Sequence, residues 1–263
     1  MKAVLKRELL NNMKNLLIWS LSVGILGLIC ILLYQSMQGD MKEMADAFSN
    51  MGAFSDAFGM STLSIATLKG YFATEVGTVH GLGSAMFAAI IAITIISKEE
   101  DSHTGEFLFS LPLSRSKILV CKALCIAVML VVFTVICTVF YIAGFIMLDE
   151  EVPYEQLLTF MGRQLLMNFE ISGICFGLSS LAGKNRTGLG LGIALICYCY
   201  DLMGRVVPDL KDYLYIGPYS YANAAEIFTD TKAPENSLVL AFVFIIIGVL
   251  FAFWNYNRRD LAS

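Results

Sequence analysis

Residues 16–34 form nineteen consecutive positions without a charged side chain, drawn from Leu, Ile, Val, Gly, Ser, Trp, Cys and Tyr. As a helix rising about 1.5 Å per residue, the run is about 28 Å long, enough to cross the hydrocarbon layer of a bilayer. Comparable stretches recur at 78–97, 118–148, 164–182, 187–203 and 238–254. The third is longer than a bilayer needs and is expected to protrude or tilt. The fifth is short and interrupted by Asp201. Composition agrees: 57% of residues are hydrophobic, 15% are charged and the mean hydropathy is +0.70, whereas soluble domains carry about a quarter charged residues. The expected fold is an all-α membrane protein of six transmembrane helices in a single membrane domain over 1–263.

The positive residues set an orientation, because lysine and arginine accumulate in cytoplasmic loops. Lys2, Lys6, Arg7, Lys14, Lys98, Arg115, Lys117, Lys122, Lys184, Arg186, Arg258 and Arg259 fall on one side, which is twelve of the eighteen. Lys42, Lys69, Arg163, Arg205, Lys211 and Lys232 fall on the other, spread over longer loops. Both termini are therefore expected in the cytoplasm, which requires an even number of crossings. The start of the chain, polar through Asn15 and without a small-residue cleavage site, reads as retained rather than as a cleaved leader.

Several function classes lose support at this stage. The net charge of -4 and the scattered basic residues give no basic face for nucleic acid. The seven cysteines (Cys30, Cys121, Cys125, Cys137, Cys175, Cys197 and Cys199) lie in or beside apolar stretches and read as small hydrophobes. Cys121 and Cys125 share a helical face but lack the further ligands of a metal site. An intramembrane enzyme needs paired acids, a histidine cluster or a Ser–His arrangement at membrane depth. His80 and His103 are the two histidines, and the expected topology puts them on opposite sides.

The loops differ in character. The first outer segment, 35–77, carries Met41, Met44, Phe48 and Met51 at near-helical spacing, with Phe54 and Phe58 beyond. Such a helix lies along the outer surface or covers the bundle, and packing is the plainer role for its methionines. The second outer loop, 149–151, is short and acidic, with Pro153 as a first-turn residue of the next helix. The third, 204–237, with Pro208, Gly217, Pro218 and several tyrosines, reads as short helices and turns with aromatic residues at the interface. Within the crossings, Gly173 and Gly177, and Gly188 and Gly192, have the four-residue spacing that permits close helix approach.

The most informative stretch is the inner loop 98–117. Glu99, Glu100 and Asp101 end the second crossing, and Phe107, Leu108 and Leu111 supply apolar contacts for a short interfacial helix. Pro112 biases Leu111 away from helix, and Ser114 is placed to cap the next helix. The product is a helix, break, helix unit suited to docking a cytoplasmic partner. By charge pattern alone the acids and Arg115 read first as a solvated membrane flank.

This order of residues (Glu99 and Glu100, then Thr104-Gly105-Glu106, Ser110-Leu111-Pro112, Ser114-Arg115 and Lys122) resembles the signature of ABC type-2 transporter permeases, the membrane subunits of bacterial ABC exporters. An amphipathic amino-terminal helix with Leu5, Leu9 and Met13 precedes the first crossing, and Ile216-Gly217-Pro218-Tyr219-Ser220-Tyr221 is similar to the family's Pro-aromatic element before its last helix. The resemblance covers essentially the whole chain. It implies a cytoplasmic coupling helix between helices 2 and 3 docking on an ATP-binding subunit, to which Glu99, Glu100, Gly105, Glu106, Pro112, Ser114 and Arg115 would belong. It also implies a translocation path at the interface of two permeases, as homodimer or heterodimer, in the cell membrane.

The chain has no phosphate-binding loop of its own. Gly183-Lys184-Asn185 lacks both the earlier glycine and the Ser or Thr after lysine, so ATP and Mg are expected in the partner subunit, with no cofactor or catalytic residue in this chain. Asn185-Arg186-Thr187 matches a glycosylation sequon on the expected cytoplasmic side, where it is incidental.

Polar residues inside the crossings define a second candidate site. Glu170, with Gln164 and Asn168, sits where an unpaired carboxylate is costly, and Arg163 lies seven residues before it on the same face. Asp201 and Arg205 are one turn apart, and His80 sits at the outer end of the second crossing. These groups either line a translocation path or fasten helices together. The expected function is export of a hydrophobic or amphipathic substrate (peptide, drug-like or lipid-like). The alternatives are a nucleotide-independent secondary carrier or a membrane scaffold.

Overall fold

The computed structural model describes residues 1–49, 51–52, 55, 63–101, 114–181 and 186–258. Its long elements are helices: α1 (Lys2–Ser49), α2 (Leu68–Thr94, with a π turn at Phe72–Val76), α4 (Arg115–Met147), α5 (Tyr154–Ser179), α6 (Thr187–Val206) and α9 (Ser237–Arg258). Short helices α3 (Lys98–Asp101), α7 (Pro208–Lys211) and α8 (Ala224–Phe228) and a 3-10 turn at Leu214–Ile216 complete the described residues, which contain no strand. This follows from the solvent: with no water to pair N–H and C=O groups, each apolar segment must bond its own backbone.

Among the described residues, five helices are long and apolar enough to cross a membrane: α1 over Lys2–Met37, α2, α4, α6 and α9. The remaining expected span, 164–182, falls in α5, which starts ten residues earlier at Tyr154. Arg163, Gln164, Asn168 and Glu170 dilute its apolar content, and the protein accommodates them by enclosing the helix. α5 packs on α2, α4, α8 and α9. Met167, Asn168 and Ile171 have no exposed surface.

Other boundaries shift for identifiable reasons. The amino-terminal amphipathic segment is not a separate helix: it forms the first turns of α1, which runs unbroken for 48 residues. Val4, Glu8, Asn12 and Leu16 face inward, Leu5 and Leu9 pack beside them, and Met13 is exposed. α1 also continues past residue 34 into the first outer segment; the side chains of Met41, Met44 and Phe48, and all of Phe54 and Phe58, lie outside the described residues. α2 begins at Leu68, where the Thr67 hydroxyl accepts from Gly70 N at 3.1 Å. Its opening turns are buried rather than looped out. Phe72, with no exposed surface, meets the rings of Phe228, Phe145, Tyr141 and Phe160 at 5.3–6.1 Å. α4 ends where Asp149 takes a left-handed conformation (φ 53°) and Glu150 N returns to Phe145 O. Pro153 precedes α5 as its cap residue instead of entering its first turn.

The third outer segment departs most from expectation. Tyr219, Ser220, Tyr221 and Ala222 are buried, so this stretch plugs into the bundle, and Tyr213 is an exposed aromatic there. Gly173 and Gly177 make the close approach their spacing permits, with Gly248 of α9 as the partner. A Cβ on Gly248 would lie 2.1 Å from Gly173 O, so the two backbones touch. Gly188 and Gly192 face open space within this chain. The cysteines are free; Cys121, Cys125, Cys137 and Cys175 are buried, and Cys199 is exposed on α6.

Gly248→Ala should therefore force α9 off α5 and cost about 1–3 kcal/mol, whereas Gly188→Ala should leave stability unchanged or slightly raised. Thermal unfolding of the purified protein in detergent distinguishes the two. Equal losses at both positions would contradict the packing.

Candidate functional site

Two polar clusters mark opposite ends of the bundle. The first lies where α1 begins and α9 finishes, an end fastened by Asn255 Nδ2 donating to Ser180 O (2.7 Å) and Ile96 N donating to Ser179 Oγ (3.2 Å). Lys122 enters it from α4, and its side chain has no exposed surface. Its ammonium donates to both Glu99 oxygens (2.6 and 2.5 Å), to Ile95 O (2.5 Å) and to Glu8 Oε1 (3.3 Å). Lys98 pairs with Glu8 from the other side. Asn12, one turn on from Glu8, donates to Glu8 O at 2.8 Å. Three chain segments, α1, 95–99 and α4, thus share one ammonium.

Glu99 is not a solvated flank. Burial lifts its carboxyl from 4.5 to about 7; Lys122 pulls it down, and the competing carboxylate of Glu8 pushes it further up. Two acids compete for one buried cation. Ser114 sits at the cap position of α4 in an extended conformation, with its carbonyl accepting from Lys117 and Ile118. Its hydroxyl makes no cap bond, so the capping expected of that side chain does not occur. Arg115 opens α4 at the same end. Glu100 belongs to α3, with its side chain outside the described residues, and Gly105, Glu106 and Pro112 lie outside them altogether.

The site reading of the sequence left out three members, Lys98 and the two most buried ones, Glu8 and Lys122. Both had a signal: an acid on the inward stripe of an amphipathic helix, and a lysine five residues inside an apolar run. Each requires a partner at that depth.

At the opposite end the polar residues of α5 hold the buried plug. Arg163 donates to Tyr221 O (3.3 Å), Gln164 Nε2 to Ala222 O (2.8 Å), and Glu170 accepts from the Tyr221 hydroxyl (2.6 Å). Arg163 and Glu170 meet through Tyr221 rather than directly. Burial and the Glu170 carboxylate hold the Tyr221 hydroxyl well above its usual range. Asn168 is fully buried with no hydrogen-bond partner among the described residues.

Arg205 chelates Asp201 one turn back (2.8 and 3.1 Å) and also reaches Glu226 of α8 (2.5 Å), a third member that spacing along α6 does not reveal. His80 is not an interface group reaching water. It is fully buried, 2.9 Å from the Tyr141 hydroxyl and packed among Tyr141, Phe133 and Phe160.

Lys122→Met should destabilise the protein by on the order of 3 kcal/mol, because it removes the buried cation that Glu8 and Glu99 share; adding Glu99→Gln should recover part of the loss. Glu99 also carries a pH signature. A carboxyl lifted from 4.5 to about 7 contributes fully below pH 4.5, and that contribution is lost as pH rises through about 7. Glu99→Gln, which mimics the protonated form, should thus gain melting temperature relative to the parent over that interval. A difference that stays constant with pH would contradict it.

Residues 2–261 match the sequence model of a known family, described as ABC-2 family transporter protein. No curated protein matches the chain. The family comprises membrane subunits of transporters that are not themselves catalytic and generally work with a cytoplasmic ATP-binding subunit. With its apolar helices and a match over nearly its entire length, the chain belongs to the ABC-2 transporter family and is a multi-pass membrane protein of the ABC transporter permease type.

Proposed function

We propose that this chain is the permease subunit of an ATP-driven exporter in the cell membrane, with ATP and Mg bound and hydrolysed by a separate cytoplasmic subunit. The observation that carries this reading is the Lys122 cluster. It gathers Glu8, Lys98, Glu99 and Lys122 at the end of the bundle richest in lysine and arginine, at the base of the loop whose residues resemble a coupling region. A push on that loop, through Glu99, Glu100, Gly105, Glu106, Pro112, Ser114 and Arg115, reaches α1 and α4 together, because one buried ammonium joins them.

In this reading α5 is a sixth, enclosed crossing, and both termini are cytoplasmic. Exposed apolar side chains on α1 (Leu17, Ile18 and Ile25), α6 (Ile196) and α9 (Ile246 and Leu250) require lipid or a second permease against them. That requirement supports a two-permease assembly, homodimeric or heterodimeric. A path lined by such surfaces suits hydrophobic or amphipathic cargo such as peptides, drug-like molecules or lipids. Asp201, Arg205, Glu170, Arg163 and Gln164 then hold its outer end in register, with Asn168 buried beside them.

The test is partner dependence. The chain, expressed with its candidate ATP-binding protein, should co-purify with it and show ATP hydrolysis that falls when Glu106 and Pro112 are replaced by alanine. If no ATP-binding chain co-purifies, and reconstituted transport survives those replacements, the reading fails.

A further inference from the structure

Between α2, α5, α6 and residues 219–224 lies a cavity of about 50 Å³, with polar lining from Thr78, Gln164, Tyr198, Asp201, Tyr219 and Asn223. Gln164 is 2% exposed. Its amide nitrogen is committed to Ala222 O at 2.8 Å, which fixes the orientation of the amide. The carbonyl oxygen Oε1 has no partner among the described residues. The space persists partly because residue 81 is glycine: a Cβ there would stand 3.6 Å from Gln164 Nε2 and 3.8 Å from Oε1.

The charge balance at this spot is uneven. Asp201 is 4% exposed and is the one formally charged residue in the lining. It shares Arg205 with Glu226, so two carboxylates answer one guanidinium. The Asp201 oxygens accept at 2.8 and 3.1 Å from Arg205 and keep further lone pairs. The Tyr219 hydroxyl is directed at Gly81 O at 3.5 Å and still has acceptor capacity, and the rings of Tyr198 and Tyr219 meet edge to face at 5.5 Å.

Water alone satisfies the Gln164 oxygen, but the buried Asp201 carboxylate still shares its one guanidinium with Glu226, whose side chain is 27% exposed, and an unbalanced carboxylate is costly in a low dielectric. A volume of about 50 Å³ holds a few water-sized bodies. That is far below the 300 Å³ or so of the smallest drug-sized pockets.

We propose that this cavity binds one small monovalent cation, an alkali ion or a primary ammonium group, through the Gln164 carbonyl and the Asp201 carboxylate, with hydroxyl oxygens of Thr78 and Tyr219 completing the shell. Oxygen ligands are what a hard cation prefers, and an ammonium finds acceptors and tyrosine faces in the same place. The cation joins α5 to α6, which pack against each other sparingly, and so steadies the outer end of the bundle. The site does not depend on the exporter reading.

Melting of the purified full chain in detergent tests it, at constant ionic strength, with tetramethylammonium chloride replaced stepwise by NaCl, KCl, NH4Cl or methylammonium chloride. Binding to the folded state alone raises the melting temperature in a saturable way, so at least one small cation should do so where tetramethylammonium does not. Gln164→Leu should weaken the midpoint by about tenfold or more, and Thr78→Val should weaken it in the same direction if the first variant does not fold. A response to Na or K assigns the site to a free ion; a response to methylammonium alone assigns it to an amine-bearing headgroup. Melting temperatures equal in all five salts, or a response undiminished in the folded variants, overturn the proposal.

Discussion

A lysine ammonium with no exposed surface is stable only while its partners stay in place, and in this protein those partners come from two segments outside its own helix. Lys122 binds Glu8 of α1, Glu99 at the start of α3 and the carbonyl of Ile95 at the end of α2. Releasing either carboxylate leaves the buried ammonium short of a charged partner, which is costly where water does not reach. The segments are therefore constrained to move together or not at all. Glu99, shared between attraction to Lys122 and repulsion from Glu8, is the softest member of the cluster.

The same logic, with different chemistry, organises the opposite end. α5 carries polar side chains that no lipid-facing helix tolerates, and the fold surrounds it with α2, α4, α8 and α9. Its polar groups then serve as attachment points for a buried return segment: Arg163, Gln164 and Glu170 all hold residues 221–222. On its other flank α5 is nearly featureless, and Gly173 and Gly177 let α9 approach backbone to backbone at Gly248. One helix thus combines the closest apolar contact of the bundle with much of its buried hydrogen bonding.

Much of this was legible from residue order. Long apolar runs locate α1, α2, α4, α6 and α9 because the hydrophobic requirement is local and each residue reports its own preference. The i, i+4 pair of Asp201 and Arg205 and the small-residue step of Gly173 and Gly177 are legible for the same reason: helical geometry alone brings those positions onto one face. Glu226 on Arg205, Tyr221 between Arg163 and Glu170, and Glu8 on Lys122 are not, because each joins residues at least twenty positions apart whose meeting depends on how helices pack.

By itself, then, the sequence determined that the chain is helical, that it lives in a membrane and that one loop carries the family's motif, since hydropathy, charge placement and residue order are properties of the chain alone. Only the tertiary structure decided which polar residues are buried, which tyrosines plug the bundle rather than sit at its surface, and that α5, whose apolar content falls short of a membrane span, lies enclosed by the others. The physical reason is that a buried charge or hydrogen-bonding group is stable only through its partners, and partners are assigned by packing across the whole bundle.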